Sequence, residues 1–222
     1  MSNKKEIIIK ATKLKKSFIT GDTEQTIFEN LDLNIYRGDF TVIMGSSGAG
    51  KSTLMYSLSG MDRPSSGEVV WNDKTITSLS DDRLAIFRRK NCGFVFQQIY
   101  LLDKMSLMDN VLTASALSGA SKKDSVKYAK ELFELVNIPE ITRKKFPSQV
   151  SGGEAQRAGI VRAVINKPEI LFADEPTGNL DPITAAEIMD LLEQINMRGT
   201  TIVMVTHAKD IVDRMKKRVI AI

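Results

Sequence analysis

Residues 40–53 read FTVIMGSSGAGKST, and this stretch decides the fold. Its first part, Phe40-Thr41-Val42-Ile43-Met44, is an apolar run typical of a buried strand. The remainder fits the phosphate-binding pattern G-x-x-x-x-G-K-S/T and leads into an apolar stretch with the character of a helix. Because that motif works between a strand and a helix, its context predicts a phosphate-binding loop at residues 45–53.

The residue types of this loop suit a nucleotide phosphate chain. Glycine permits positive φ angles and close backbone approach, so successive N–H groups can point at one anion beside a helix N-terminus. Lys51 is expected to reach the β and γ phosphates, Ser52 to ligate Mg²⁺, and Thr53 to serve the α-phosphate end. The predicted nucleotide contacts are Gly45, Ser46, Ser47, Gly48, Ala49, Gly50, Lys51, Ser52 and Thr53.

The base is predicted to be adenine. Guanine-selective P-loop proteins use an N-K-x-D motif, and the nearest match, Asn-Lys-Pro-Glu at residues 166–169, lacks the aspartate. ATP is therefore favoured over GTP.

Strands and helical patterns alternate along the rest of the chain. Apolar strands are predicted at residues 68–71, 94–96, 170–173 and 200–206. Such alternation is typical of an α/β fold with a mainly parallel sheet, and the β-rich stretches 7–9 and 31–36 add an N-terminal β layer.

One span lacks this β-rich character. Residues 122–136 place Val126, Ala129, Phe133 and Val136 at helical spacing, so 98–166 is predicted to be a helical subdomain inserted into the core. We therefore expect a single domain over 1–222, with the core and β layer at 1–97 and 167–222. The helix after it in the core is expected to begin at Asp181 as N-cap, with Pro182 at its first position.

Bulk properties exclude several classes of protein. The chain has 222 residues, 42% of them hydrophobic and 26% charged, which is ordinary for a globular domain. A single cysteine, Cys92, cannot form an internal disulfide, so a reducing cytoplasm is expected. Neither a signal-peptide pattern nor an apolar run of about 18 residues is present, so any membrane role is expected to need a partner.

The net charge of +4 could indicate a protein that binds nucleic acid. The basic clusters at 88–90, 143–145 and 214–218 are scattered along the chain, and solvated helix faces explain them. Nucleic acid is therefore not an expected partner.

Two polar motifs outside the loop carry further chemistry. Asp174 and Glu175 end an apolar strand, and side-chain alternation is expected to send one carboxylate to the metal and the other to the attacking water. Taken alone, such a pair could also be a structural cap. Ser151 and Glu154 form an S-x-x-E capping box, which by itself is more typical of a helix start than of a binding site.

Residues 150–157, Val-Ser-Gly-Gly-Glu-Ala-Gln-Arg, resemble the signature motif of the ABC ATPases, commonly written L-S-G-G-Q. The order of the other motifs is similar too. Gln97 ends a strand like the family's Q-loop glutamine, residues 179–181 resemble its D-loop, and His207, the only histidine, follows a strand like the switch histidine. The resemblance extends over residues 9–222.

The resemblance implies a P-loop NTPase ABC cassette with a RecA-like core, an antiparallel β layer, and hydrolysis of ATP with Mg²⁺. It implies a homodimer that sandwiches two ATP molecules, each loop facing the partner's signature turn. Catalytic roles would fall to Glu175, His207, Gln97 and Lys51, and metal contacts to Ser52, Gln97 and Asp174. Further nucleotide contacts would come from Phe18 by stacking on adenine, Gln97, Ser151, Gly152, Gly153, Asp181 and His207.

Three departures from the family pattern stand in the signature: Val150, Glu154 and Ala155. None removes a backbone donor, so hydrolysis is expected to survive. Phe18 offers a ring but no hydroxyl where the family usually has tyrosine, and core packing is the alternative for it.

Within the family, residues 20–24, 61–64, 101–102 and 176–181 look most like the group of MacB, LolD, FtsE and the bacitracin exporters, with a slight lean toward antimicrobial-peptide export. A permease is expected to dock on residues 97–110, which would place the chain in the cytoplasm at the inner face of the cell membrane. Two alternatives are a non-transport ABC ATPase acting on nucleic acid or ribosomes, and a regulatory module that binds ATP without hydrolysis. Substrate and direction of transport are not encoded in these residues.

Overall fold

The computed structural model describes residues 5–222 and forms two sheets. The strands are β1 (Ile7–Thr20), β2 (Thr23–Tyr36), β3 (Phe40–Met44), β4 (Ser66–Trp71), β5 (Lys74–Thr75), β6 (Cys92–Phe96), β7 (Ile170–Asp174), β8 (Thr201–Thr206) and β9 (Arg218–Ala221). The helices are α1 (Lys51–Ser59), α2 (Asp81–Asn91), α3 (Leu107–Leu117), α4 (Lys122–Leu135), α5 (Glu140–Arg143), α6 (Gly152–Val164), α7 (Pro182–Met197) and α8 (Lys209–Met215).

The larger sheet confirms the predicted parallel core. Its order is β6-β7-β8-β3-β9, and all four pairings are parallel. The central strands β3, β7 and β8 are apolar and almost wholly buried, as expected for strands covered on both faces. Parallel order brings the carboxyl ends of these strands to one edge, where the loops after β3, β6, β7 and β8 meet.

The smaller sheet is the predicted antiparallel β layer, in the order β2-β1-β4-β5. The core between the two sheets includes Trp71, which is fully buried and stands 6.0 Å from Phe172 of β7 between ring centroids. Its indole nitrogen donates to the carbonyl of Leu58 over 2.8 Å. This bond ties the C-terminal end of α1 to the β layer.

Residues between β6 and β7 are mainly helical, and the helix predicted over 122–136 is present as α4. They share a hydrophobic cluster of their own, centred on Leu107, Ala129, Phe133 and Val161. The boundaries of the proposed subdomain stay a prediction, and the first four residues of the predicted domain lie outside the described part of the chain.

The prediction that the basic cluster at 143–145 lies on a solvated helix face is wrong for one of its residues. Arg143 is buried, donating through Nε to the carbonyl of Ile138 over 2.9 Å and lying 5.6 Å from the ring centroid of Phe133. The cation fixes the chain behind α4, because a buried guanidinium needs such partners. Its neighbours Lys144 and Lys145 are not among the buried residues.

Within residues 5–222, the helices are all too short or too polar to cross a bilayer.

Candidate nucleotide and hydrolysis site

The loop between β3 and α1 is shaped for an anion. Gly48 has φ 79° and Gly50, the N-cap of α1, has φ 88°, a region that side-chain-bearing residues rarely adopt. A Cβ at Gly50 would collide with Ile27 of β2. No side chain caps α1 and its first turn carries no acidic residue, so its N-terminal N–H groups are left for a ligand.

Lys51 extends over this loop. Its side chain is buried, and its Nζ donates to the carbonyl of Ser46 over 2.7 Å. An ammonium group so placed adds a full positive charge to the partial charges of the N–H groups.

Asp174, the last residue of β7, is held by two hydroxyls of α1. Ser52 Oγ donates to Oδ1 over 2.7 Å, and the phenol of Tyr56 donates to Oδ2 over 2.6 Å. Burial, and next the hydrogen bond to Asp174, raise the pKa of Tyr56, so it remains a protonated donor near neutral pH. The predicted metal pair Ser52 and Asp174 is therefore in direct contact.

Glu175 and His207 form the second pair. Nδ1 of His207 lies 2.6 Å from Oε1 of Glu175, and the histidine ring is 62% exposed while the glutamate side chain is 16% exposed. Thr206 Oγ1 lies 3.4 Å from the other carboxylate oxygen. The carboxylate is thus oriented by the end of β8, next to the edge where Asp174 lies.

The two carboxylates separate for a reason other than the predicted one. Strand β7 ends at Asp174, and Glu175 has φ 48°, which is outside the strand conformation. The Glu175 N–H donates to the carbonyl of Val205 over 2.9 Å, which holds this turn. A left-handed residue directly after the strand, rather than side-chain alternation, sends Glu175 to His207.

Gln97 directly follows β6, which ends at Phe96 as predicted. Two hydrogen bonds join it to Asn179: Gln97 Nε2 donates to Asn179 Oδ1 over 3.3 Å, and Asn179 Nδ2 donates to the backbone carbonyl of Gln97 over 3.3 Å. A Cβ on Gly178 would come within 2.8 Å of Gln97 Nε2, so glycine makes room for the contact. Gln97 is thus joined to the 179–181 turn. Within residues 5–222 it forms no hydrogen bond with Ser52 or Asp174.

The turn at residues 151–154 is the capping box predicted from the sequence. Ser151 Oγ accepts from the Glu154 N–H over 3.2 Å, and Glu154 Oε2 accepts from the Ser151 N–H over 2.9 Å. Ser151 and Gly152 are exposed, whereas Gly153 packs against Thr184 of α7 so closely that a Cβ would lie 2.6 Å from it. Within the described residues, no hydrogen bond joins this turn to the loop at 45–53.

Asp181 and Pro182 begin α7 as predicted. Asp181 Oδ1 accepts from the N–H groups of Ile183 and Thr184, both over 3.0 Å. Hydrogen bonds from Thr184, and then from Ile183, hold the pKa of Asp181 below its usual range.

Phe18 lies in β1 near the hairpin to β2 and is 43% exposed. Lys16 Nζ stands 4.8 Å from its ring centroid. This exposure disfavours the core-packing alternative and leaves part of the ring accessible.

Two residues of the site were missed by sequence reasoning. One is Tyr56, described above. The other is Gln156 of α6, which is 2% exposed and donates from Nε2 to the carbonyls of Pro176, over 2.8 Å, and Phe96, over 3.4 Å. The available signal was a polar side chain four positions before Ile160 on the apolar face of a helix.

A cavity of about 330 Å³ borders the Glu175–His207 pair and lies between α7 and α8. Leu180, Met189 and Ile211 line part of it. Its volume exceeds that of several water molecules, and none of residues 45–53 is among the residues that line it.

Comparison with known proteins gives a consistent result. A family model described as ABC transporter matches residues 28–178. The cell division ATP-binding protein FtsE of Bacillus subtilis is 43% identical over 192 residues, covering 86% of this chain and 83% of that protein. The lipoprotein-releasing system ATP-binding protein LolD of Idiomarina loihiensis is 35% identical over 213 residues, covering 96% and 93%.

Two further comparisons extend this likeness. The macrolide export ATP-binding/permease protein MacB of Bdellovibrio bacteriovorus is 42% identical over 206 residues, which is 92% of this chain but 31% of MacB. Among solved structures, the dimeric post-hydrolysis state of the ATP-binding cassette MJ0796 bound to ADP and Pi superposes with a TM-score of 0.88. It is 35% identical, and the match covers 97% of this chain and 94% of that one.

Proposed function

This chain belongs to the ABC transporter family as an ATP-binding and ATP-hydrolysing subunit, and on that premise we propose the residue roles, the dimer and the partner described below.

We propose that residues 45–53 cradle the phosphates of ATP. Support comes from the positive φ of Gly48 and Gly50, the uncapped start of α1 and the position of Lys51 Nζ over the loop. Backbone N–H groups and an ammonium group aimed at one place stabilise an anion with little reorganisation. Phe18 is proposed to stack on the adenine.

The residues at the end of β7 fit Mg²⁺. The Ser52 hydroxyl donates a hydrogen bond to Asp174, which leaves the lone pairs of the Ser52 oxygen for a hard cation. No cluster of three acidic, histidine or cysteine side chains occurs in residues 5–222, which suits an ion that takes most of its ligands from phosphate and water. Bound there through Ser52 and Asp174, with Gln97 as a further contact, Mg²⁺ would neutralise charge on the phosphates.

Glu175 is proposed to accept a proton from the attacking water. His207 lies against one carboxylate oxygen, and both residues border a cavity large enough for water. Because the exposed imidazole is in contact with the base, His207 is proposed both to orient Glu175 and to donate to a phosphate oxygen. The presence of this pair argues against a module that binds ATP without hydrolysing it.

Activity is proposed to require a homodimer. The signature turn is exposed at Ser151 and Gly152 and shares no hydrogen bond with the phosphate loop of its own chain in the described residues. A capped helix start that faces outward can complete a second chain's site with its backbone N–H groups. The structural relative MJ0796 has been solved as a dimer, which agrees with this proposal.

The partner is proposed to be an integral-membrane permease docked on residues 97–110, with the ATPase on the inner face of the cell membrane. Within that surface Tyr100 is 64% and Leu102 53% exposed, and Arg162 of α6 fixes the backbone by donating to the carbonyls of Ile99 and Tyr100. The names of LolD and MacB describe lipoprotein release and macrolide export by those proteins. The comparisons give no support to a nucleic-acid function, and the lean toward antimicrobial-peptide export stays a prediction.

The observation that carries this function is the pairing of Ser52 with Asp174 at one strand end and of His207 with Glu175 beside it. The test is phosphate release by the purified chain with Mg²⁺ and ATP over a range of protein concentrations. For an obligate dimer, the rate per chain rises with protein concentration and then saturates. A rate per chain that is constant at all concentrations would contradict the dimeric mechanism, and no phosphate release would contradict the site assignment.

A further inference from the structure

Tyr56 of α1 contacts Asp174 but has no assigned role in ATP binding or hydrolysis. Ser52 and Tyr56 are four residues apart on this helix and therefore lie on one face, one above the other. From that face the two hydroxyls reach different oxygens of the same carboxylate, Ser52 to Oδ1 and Tyr56 to Oδ2 of Asp174. Helix α1 thus donates hydrogen bonds to both oxygens of one carboxylate.

These two bonds account for all the side-chain hydrogen bonds that Asp174 makes in residues 5–222. Asp174 is 9% exposed and forms no salt bridge with any residue in that range. Because a buried carboxylate without partners is costly, the two hydroxyls determine which way it faces. Without the phenol, only the Ser52 bond would hold the carboxylate of Asp174, whose terminal torsion is intrinsically broad.

The phenol contributes more than packing to this arrangement. At 2.6 Å the Tyr56–Asp174 bond has the length of a charge-assisted O–H···O⁻ bond, which is about twice as strong as a neutral one. It occupies the oxygen that Ser52 does not touch. Oδ1 therefore remains beside Ser52, on the side of the carboxylate that faces the proposed metal site.

We propose that Tyr56 is a positioning residue that holds Asp174 in the orientation needed to couple metal binding to nucleotide binding. This inference rests on the proposed Mg²⁺ site at Ser52 and Asp174. Tyr56 itself touches neither metal nor nucleotide in this proposal. Its contribution is to keep one carboxylate oxygen turned toward the ion and the other turned away.

The experiment measures this coupling as the ratio of the ATP-analogue affinity with Mg²⁺ to the affinity with EDTA. Affinity for a fluorescent ATP analogue is determined by equilibrium titration, once with excess Mg²⁺ and once with EDTA, in a Glu175→Gln background to prevent hydrolysis. Tyr56→Phe is expected to leave the Mg²⁺-free affinity within about twofold and to lower the Mg²⁺/EDTA ratio by about tenfold, in keeping with one lost hydrogen bond to a charged group. Substituting Mn²⁺ should give the same loss.

Tyr128→Phe is the matched control. Tyr128 lies on α4, is half-buried, and lacks any side-chain hydrogen bond among the described residues, while Lys167 Nζ lies 4.7 Å from its ring centroid. This variant should keep the ratio of the parent. A second variant, Tyr56→3-fluorotyrosine, preserves the shape and strengthens the donor, so it should maintain or raise the ratio even if Tyr56→Phe folds poorly.

Asp174→Asn separates failure of this inference from failure of the proposed function. If Asp174→Asn abolishes the ratio while Tyr56→Phe leaves it unchanged, Tyr56 only packs and the inference is wrong. If Asp174→Asn also leaves the ratio unchanged, the metal site itself is wrongly placed. A loss in Tyr56→Phe that 3-fluorotyrosine does not share supports the positioning role, because packing alone would not distinguish them.

Discussion

Nε2 of Gln156 lies 2.8 Å from the carbonyl oxygen of Pro176, and this bond joins the signature helix to the segment directly after Glu175. The same amide reaches the carbonyl of Phe96, the residue before Gln97, over 3.4 Å. One buried side chain therefore links the helix that we propose to face a second chain to the two loops that we propose to face the nucleotide. A displacement of α6 would therefore move or break its hydrogen bonds to both loops.

Replacing Gln156 by leucine should destabilise the fold. The carbonyl of Pro176 would lose its buried donor, which costs about 1–3 kcal/mol of unfolding free energy. Urea unfolding followed by circular dichroism measures this. Gln194→Leu, at an exposed position of α7, should change stability by no more than about 0.5 kcal/mol, and equal effects of the two substitutions would contradict the bridging role.

Replacing Glu175 by glutamine should remove the base and keep the nucleotide. Loss of a general base lowers rates by about 10²–10⁴, so phosphate release should fall at least a hundredfold. The ATP-bound dimer should then accumulate and be visible by size-exclusion chromatography with light scattering. The control is Glu193→Gln, which removes a carboxylate that pairs with Lys217, and this variant should hydrolyse ATP normally. An unchanged rate in Glu175→Gln would rule out its assigned role.

Replacing Lys51 by methionine should weaken ATP binding. The buried ammonium group over the phosphate loop would be lost while the length of the side chain is kept. A hydrogen bond between charged groups is worth about 1.5–3 kcal/mol, which corresponds to an affinity loss of about 10- to 100-fold. Fluorescence anisotropy with a labelled ATP analogue measures it. Lys130→Met on the exposed face of α4 should bind as the wild type does; similar losses in both variants would point to a general charge effect.

Replacing Ser151 by aspartate separates its structural role from its proposed binding role. Aspartate is as good an N-cap as serine, so thermal stability should stay within about 0.5 kcal/mol. A carboxylate facing the partner's γ-phosphate should nevertheless abolish ATP-induced dimerisation, which light scattering reports. Ser121→Asp, at the N-cap of α4, should dimerise normally. Normal dimerisation of Ser151→Asp would mean that the turn is a cap and nothing more.

Local features were predictable from the sequence because their causes are local. The strand Phe40–Met44, the capping box at Ser151 and the start of α7 at Asp181 all depend on residues within one or two turns of each other. The parallel core also followed, since buried parallel strands have an apolar composition that is easy to see.

Long-range polar contacts were not predictable in the same way. Tyr56 meets Asp174 across 118 positions of sequence, and Gln97 meets Asn179 across 82. No local pattern specifies such partners. The backbone turn at Glu175 was missed for a related reason: its φ of 48° is imposed by the end of β8 and not by its own residue type.

The bond between Ser52 and Asp174 spans 122 residues, so it bears on the order in which the protein is made. At about 5–20 residues per second of synthesis, the phosphate loop leaves the ribosome about 6–24 s before the aspartate that orients its serine. During that interval the nascent chain carries an anion-binding loop without its carboxylate partner. With the proposed Mg²⁺ site at Ser52 and Asp174, tight binding of ATP with its metal becomes possible only after β7 has docked between β6 and β8. The nucleotide would then stabilise only chains whose central sheet is complete.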